Sequence, residues 1–236
     1  MRKEPFAIGN YVHVYNRGNR KMPIVYDEAD KWRFLKILRY FNDEFSPPNI
    51  FRQLDLLIGT GQSRLFEWPQ NWPAHKPLVK ILAYCLMPNH FHLLLKEITD
   101  GGISKFMKKL GDGFTKYINI KYDETGRVFQ SSYKAKTIID DEFIRYLDTY
   151  IQIFNPFELY SGGIKAALKE FNKAFEFAMD YPFCSLGESF GKRKMKIIDR
   201  DILREIFPDL KNYKEFTQDA LVVRSLREVL AGLTIE

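Results

Sequence analysis

Between Pro77 and Ile98 the chain reads PLVKILAYCLMPNHFHLLLKEI, two apolar runs broken at Met87-Pro88-Asn89. Two such runs around a proline suit a pair of strands joined by a tight turn. Proline has no N–H to give a ladder and is excluded from the middle of a sheet. The second run opens on His-Phe-His. Side chains alternate across a strand, so His90 and His92 share one face while Phe91 and Leu93 take the other. A buried neutral imidazole costs free energy unless it is hydrogen-bonded or bound to something. These two histidines, of the four in the chain, therefore either face outward or hold a ligand.

The flanking segments supply the rest of a sheet. NYVHVYNRGN (10–19) alternates, with Val12 and Val14 on one side and Tyr11, His13 and Tyr15 on the other, which predicts a half-buried strand closed by Gly18. In DEADKWRFLKILRYFNDEF (27–45), Trp32, Leu35, Leu38 and Phe41 recur at helical spacing behind the cap Asp27. Residues 46–77 hold five prolines and little periodicity, and predict a long loop or insertion with a short element at QLDLLIG. A helix is expected over 101–122, weakened by Gly111 and Gly113, then a strand over 126–139 and a helix over 140–156 that Pro156 helps to stop. The order β-α-β-β-α-β followed by a helix is the ferredoxin-like, split βαβ arrangement of an α+β protein. It has a four-stranded antiparallel sheet, helices on one face and the other face open. Residues 1–160 make up this domain. Residues 161–236 read as a helical accessory segment carrying the basic run GKRKMK (191–196).

A net charge of +6 favours a polyanionic partner. The two cysteines, Cys85 and Cys184, match no metal-finger spacing and point to a reducing compartment. No segment nears the roughly 18 apolar residues of a membrane span, and the expectation is a cytoplasmic protein.

Histidines two apart on one strand put both imidazoles within reach of a single metal ion and leave coordination positions open for substrate. MPNHFHLLL, YVHVYNRGN, GRVFQSSYKAK and YIQIFNP, spread over about residues 8–160, resemble the blocks of the single-tyrosine HUH transposases. That family comprises insertion-sequence transposases and their relatives associated with repetitive extragenic palindromes. DYPFCSLGESFG (180–191) is similar to the segment that follows the catalytic domain in the palindrome-associated branch. The resemblance implies the fold already reached from periodicity. It also implies an enzyme that cuts and rejoins single-stranded DNA beside hairpins through a 5′-phosphotyrosine. By resemblance His90 and His92 are metal ligands for Mg2+ or Mn2+, Tyr150 is the nucleophile and Asn155 completes the metal shell. Tyr146 and Tyr117 are the other tyrosines in question, and Gln152 is a rival third ligand. Partners implied are single-stranded or hairpin DNA and, in the insertion-sequence type, a second copy as a homodimer.

One departure stands out. The family places its tyrosine four residues before the Asn or Gln ligand, whereas Tyr150 is five before Asn155 and Ile151 occupies the usual position. Either a π-bulge absorbs the extra residue, or the nucleophile is lost and the chain is a non-catalytic, domesticated hairpin-binding protein. An unrelated metal hydrolase is the third reading. Arg17, Arg20, Lys109 and Lys134 are the expected DNA contacts among many solvated lysines.

Overall fold

The computed structural model describes residues 6–222. Strands β1 (Tyr11–Arg17), β2 (Val79–Leu86), β3 (His90–Glu97) and β4 (Lys134–Ile138) form one antiparallel sheet in the order β2-β3-β1-β4. Helices α1 (Glu28–Tyr40) and α2 (Ile50–Gly59) lie between β1 and β2, and α3 (Gly102–Tyr122) lies between β3 and β4. This is the α+β, ferredoxin-like split βαβ fold that the periodicity predicts.

Alternation sorts the core. Val12, Val14, Phe91, Leu93 and Leu95 pack with Phe34, Leu38, Phe106, Leu110 and Phe114 of α1 and α3. The two helices approach so closely that a Cβ at Gly113 would sit 2.3 Å from the Phe41 ring, which explains a glycine in mid-helix. Asp27 and Asp30 form a capping box at the start of α1. The buried Asp30 carboxylate also accepts from the Tyr26 amide (2.8 Å), the Tyr117 and Tyr122 hydroxyls (2.8 and 2.7 Å) and Lys121 Nζ (2.6 Å).

The second face is covered, contrary to the expectation of an open sheet. Beyond β4 come α4 (Asp141–Thr149), a π turn (Tyr150–Phe154), α5 (Asn155–Leu159), α6 (Gly163–Lys169), α7 (Phe171–Asp180), α8 (Leu186–Ser189), α9 (Leu203–Ile206) and α10 (Leu210–Val222). Leu82, Ala83, Cys85, Leu94 and Ile138 on the sheet share one core with Ile144, Leu147, Ile151, Phe157, Phe175, Leu203 and Tyr213. The apolar stripes of these short helices are too brief to stand out in the sequence, yet together they bury that face.

Three boundaries also shift. The segment 46–77 holds a full helix, α2, whose Ile50 and Leu54 bury against Tyr40 with Trp68 and Trp72. β4 is shorter than the 126–139 run. Phe129 instead bridges Gly18, and the Gln130 amide donates to the Arg17 carbonyl at 3.0 Å, so this stretch follows the loop after β1. The helix expected to stop near Pro156 continues to Leu159.

Burial alone would raise the Asp30 pKa, but the bonds from Lys121, the Tyr26 amide, Tyr122 and Tyr117 outweigh it and hold it at about 2, below the ordinary 3.8. The resulting stabilisation is complete above pH 4 and is lost as pH falls through about 2. Asp30→Asn is expected to cost about 2–4 kcal/mol at pH 7 and to flatten this part of the acid-unfolding curve. Urea melts across that range measure both.

Candidate active site

Cross-strand pairing sets the site. Cys85 of β2, His92 of β3, Tyr15 of β1 and Lys134 of β4 stand in one row, and His90 pairs with Arg17 one step along. Cross-strand partners point to the same face, so these side chains meet the helices of the second layer. The loop after β1 folds back on the Pro88 turn. The Gly18 amide donates to the Asn89 carbonyl at 2.8 Å and the Ile24 amide to the Pro88 carbonyl at 2.8 Å. A Cβ on Gly18 would lie 2.0 Å from the Met22 carbonyl oxygen, so only glycine permits this return.

The tautomer of His90 follows from its neighbours. Asn89 Nδ2 donates to the Lys21 carbonyl at 3.4 Å, which turns Asn89 Oδ1 toward His90 Nδ1 at 2.7 Å. An amide oxygen only accepts, so Nδ1 carries the proton and Nε2 is bare. Asn155 Nδ2 donates to the carbonyls of Tyr150 (2.9 Å) and Ile151 (3.4 Å), which leaves Asn155 Oδ1 facing His90 Nε2 at 3.4 Å. Two acceptors face each other there, an arrangement that a shared cation would satisfy. His92 is buried, with Nδ1 2.9 Å from His13 Nε2 and, among the described residues, no hydrogen-bond partner for Nε2. Among the described residues no three His, Cys, Asp or Glu side chains are spaced to hold a metal. The donor set is two imidazoles and an amide oxygen, and it fits a divalent cation through the orphaned His92 Nε2 and the facing pair His90 Nε2 and Asn155 Oδ1.

Burial keeps all three imidazoles uncharged. It is the main cause lowering His13 to about 3, helped by Lys136, and it holds His92 well below and His90 below the ordinary 6.5.

The extra residue of the Tyr-Asn spacing sits in the π turn. Pro156 has no N–H, so the Gln152 carbonyl has no backbone donor four residues on. Cys184 Sγ donates to it instead, at 3.6 Å. The Asn155 amide bonds back five residues to the Tyr150 carbonyl. Tyr150 thereby sits over the histidines: its ring meets His92 edge-on, with centroids 5.1 Å apart at 85°. Burial first, then the Glu158 carboxylate, pushes its phenol above the ordinary 10. Ile151 is fully buried in the core.

The other tyrosines lie elsewhere: Tyr146 packs on Phe216, and Tyr117 bonds Asp30 in the opposite layer. Gln152 turns away from the histidines. Its Nε2 donates to Asp148 Oδ1 at 2.7 Å, and its Oε1 accepts from Ser185 Oγ at 2.7 Å and Ser189 Oγ at 3.1 Å.

Of the cationic residues, Arg17 stands beside His90 and is bonded through Nε to Gln130 Oε1 at 2.6 Å. Arg20 is exposed in the 3-10 turn Asn19–Lys21, and Lys134 is exposed at the sheet edge in the His92 row. Lys109 belongs to the opposite layer, where Nζ donates to the Asp43 carbonyl at 2.6 Å. The basic run at 191–196 is spent on structure: Arg193 donates to the carbonyls of Met179, Tyr181 and Cys184, while Lys192 and Lys196 pair with Asp180 and Glu67. The sequence reading did not single out His13 or Asn89. His13 left one signal, its place on the same face of its strand as Tyr11 and Tyr15.

The split βαβ sheet thus carries two imidazoles on an inner strand, one of them in contact with a helix tyrosine. Residues 56–153 match the family model described as "Transposase IS200 like", which supports the resemblance to the single-tyrosine HUH transposases. No curated protein matches it. Among solved structures, a REP-associated tyrosine transposase bound to a REP hairpin aligns at 13% identity, over 84% of this chain and 93% of its own, with a TM-score of 0.46. A candidate transposase from Deinococcus radiodurans R1 aligns at 18% identity over 64% and 95%, with a TM-score of 0.33. No helix among the described residues is long and apolar enough to cross a membrane.

Gln152→Leu is expected to cost about 2–4 kcal/mol, since Asp148, Ser185 and Ser189 all lose a buried partner. Mn2+ affinity should stay within about twofold, because the amide points away from the histidines. Urea denaturation alongside a Mn2+ titration checks both; a large loss of Mn2+ binding with stability intact would restore Gln152 as a ligand.

Proposed function

We propose that this chain cleaves and rejoins single-stranded DNA beside hairpins, with Tyr150 as nucleophile and a divalent metal held by His90, His92 and Asn155. The observation that carries this reading is the edge-on contact of Tyr150 with His92, next to the facing pair His90 Nε2 and Asn155 Oδ1. Mg2+ or Mn2+ bound there would neutralise and polarise the scissile phosphate.

The chain's own residues do the rest. Tyr150 Oη forms a bond to phosphorus as the bond from phosphorus to the 3′ oxygen breaks. The phenol proton is lost, and the departing 3′ oxygen takes up a proton to become a free 3′ hydroxyl. The 5′ end stays on the enzyme as a phosphotyrosine. Attack by a 3′ hydroxyl reverses the exchange and reseals DNA with no external energy source, because the phosphodiester energy is retained in the adduct. Arg17 and Arg20 beside the Pro88 turn, and Lys134 at the sheet edge, supply cations along which a strand can run. Lys109 has no part in this path.

The test is an adduct assay with single-stranded DNA carrying palindromic hairpins and their flanks from the protein's own genomic neighbourhood, with Mn2+. A labelled band at the protein's mass on a denaturing gel is expected. Tyr150→Phe should abolish it, and His90→Ala should reduce it by about two orders of magnitude or more. Tight hairpin binding without any adduct would identify a non-catalytic binder. Turnover without an adduct would identify a hydrolase.

A further inference from the structure

His13 lies outside the metal-ligand pair, on the neighbouring inner strand, and is fully buried. Its ring lies nearly coplanar with that of His92, centroids 5.1 Å apart at 9°, and stacks on Tyr15 at 4.8 Å and 26°. Its Nε2 meets His92 Nδ1 at 2.9 Å. A hydrogen bond of that length holds one proton between those nitrogens, and two arrangements exist.

In the first, His92 Nδ1 donates to His13 Nε2. His92 Nε2 is then bare and His13 carries its proton on Nδ1. In the second, His13 Nε2 donates, and His92 carries its proton on Nε2, toward the site. Among the described residues neither His13 Nδ1 nor His92 Nε2 has a hydrogen-bond partner, so each arrangement leaves one buried N–H unpaired. Hydrogen-bond count alone does not choose between them. A cation at His92 Nε2 does choose, because a protonated nitrogen cannot ligate. His90 needs no such help, since Asn89 already fixes its proton on Nδ1.

We propose that His13 is the positioning residue for His92: it accepts the His92 Nδ1 proton and so presents a bare Nε2 to the metal. This rests on the metal reading above, and makes the site a His–His pair in which an imidazole takes the role that a carboxylate or backbone carbonyl commonly takes behind a ligating histidine. An imidazole there differs from a carboxylate in adding no negative charge of its own behind the ligand.

The experiment is a Mn2+ titration of the full chain without DNA, followed by the EPR signal of free Mn2+, for wild type, His13→Phe and His13→Gln. Phenylalanine keeps the stacked ring and removes the acceptor; glutamine replaces it with an amide oxygen. The expected result is about 10–100-fold weaker binding for His13→Phe, with recovery to within about threefold for His13→Gln. Equal binding by wild type and His13→Phe overturns the proposal while leaving the metal reading intact. Absence of Mn2+ binding by wild type overturns both. Should His13→Phe fail to fold, 15N NMR of Mg2+-loaded wild type decides: protonation of His92 on Nδ1 supports the proposal, and protonation on Nε2 overturns it.

Discussion

Pro156 has no backbone N–H, and the helix that crosses the second face of the sheet is built around that absence. An unbroken α-helix through Tyr150–Leu159 would ask Pro156 to donate to the Gln152 carbonyl. The chain instead widens to a π turn over Tyr150–Phe154, and the Asn155 amide reaches back to the Tyr150 carbonyl. The Gln152 carbonyl is satisfied from another element, by Cys184. In this register the Tyr150 ring meets His92 and Asn155 Oδ1 faces His90. Asn155 is drawn into the same solution, because its side-chain amide bonds the Tyr150 and Ile151 carbonyls and its oxygen is thereby aimed at His90.

That turn holds its place because the segment after residue 160 closes over it. Gln152 lies on the far side of the turn from Tyr150 and is bonded to Ser185, Ser189 and Asp148. Ser185 reaches the sheet as well, its Oγ accepting from the Tyr84 amide at 2.9 Å and its own amide donating to the Tyr84 carbonyl at 2.9 Å. Cys85 and Cys184, both free thiols, pair through their backbones in an isolated antiparallel β-bridge between the same stretches. β2, the π turn and the start of α8 are therefore one hydrogen-bonded unit. In a buried network of this kind every member is paired, and pairing orients side chains more strictly than apolar contact does.

The split βαβ core was legible because its signals are periodic and local: alternation in residues 11–15, helical spacing behind Asp27, and the Pro88 break before His90. The π turn was readable only as a mismatch, one residue too many between Tyr150 and Asn155. The π turn absorbs that residue through the Asn155 amide bond to the Tyr150 carbonyl, and the Gln152 carbonyl is met by Cys184, 32 residues away, a pairing no local pattern encodes. The cover on the second face escaped for a similar reason. Its helices run from four to thirteen residues, and a stripe in so short a helix contributes two or three apolar positions. His13 escaped because a histidine in an alternating strand has the same pattern whether it faces water or another imidazole.

A single physical effect sets every charge state at the centre of the site. Burial penalises charge of either sign, so it lowers the histidines and raises Tyr150 together. Burial favours neutral imidazoles and a protonated phenol; Glu158 lies near enough to add to the Tyr150 shift, while Arg17 and Lys134 stand at the edge. A neutral, buried centre is a poor place for a lone phosphate or a lone cation, since neither finds a counter-charge there. A phosphodiester and a divalent cation arriving together bring their own neutralisation, and each makes the other's desolvation cheaper. On the proposed reading, metal and DNA therefore bind cooperatively, and the phenol loses its proton only once that charge pair is in place. On the same reading, the burial that raises the Tyr150 phenol would keep it from reacting until substrate and metal are both present.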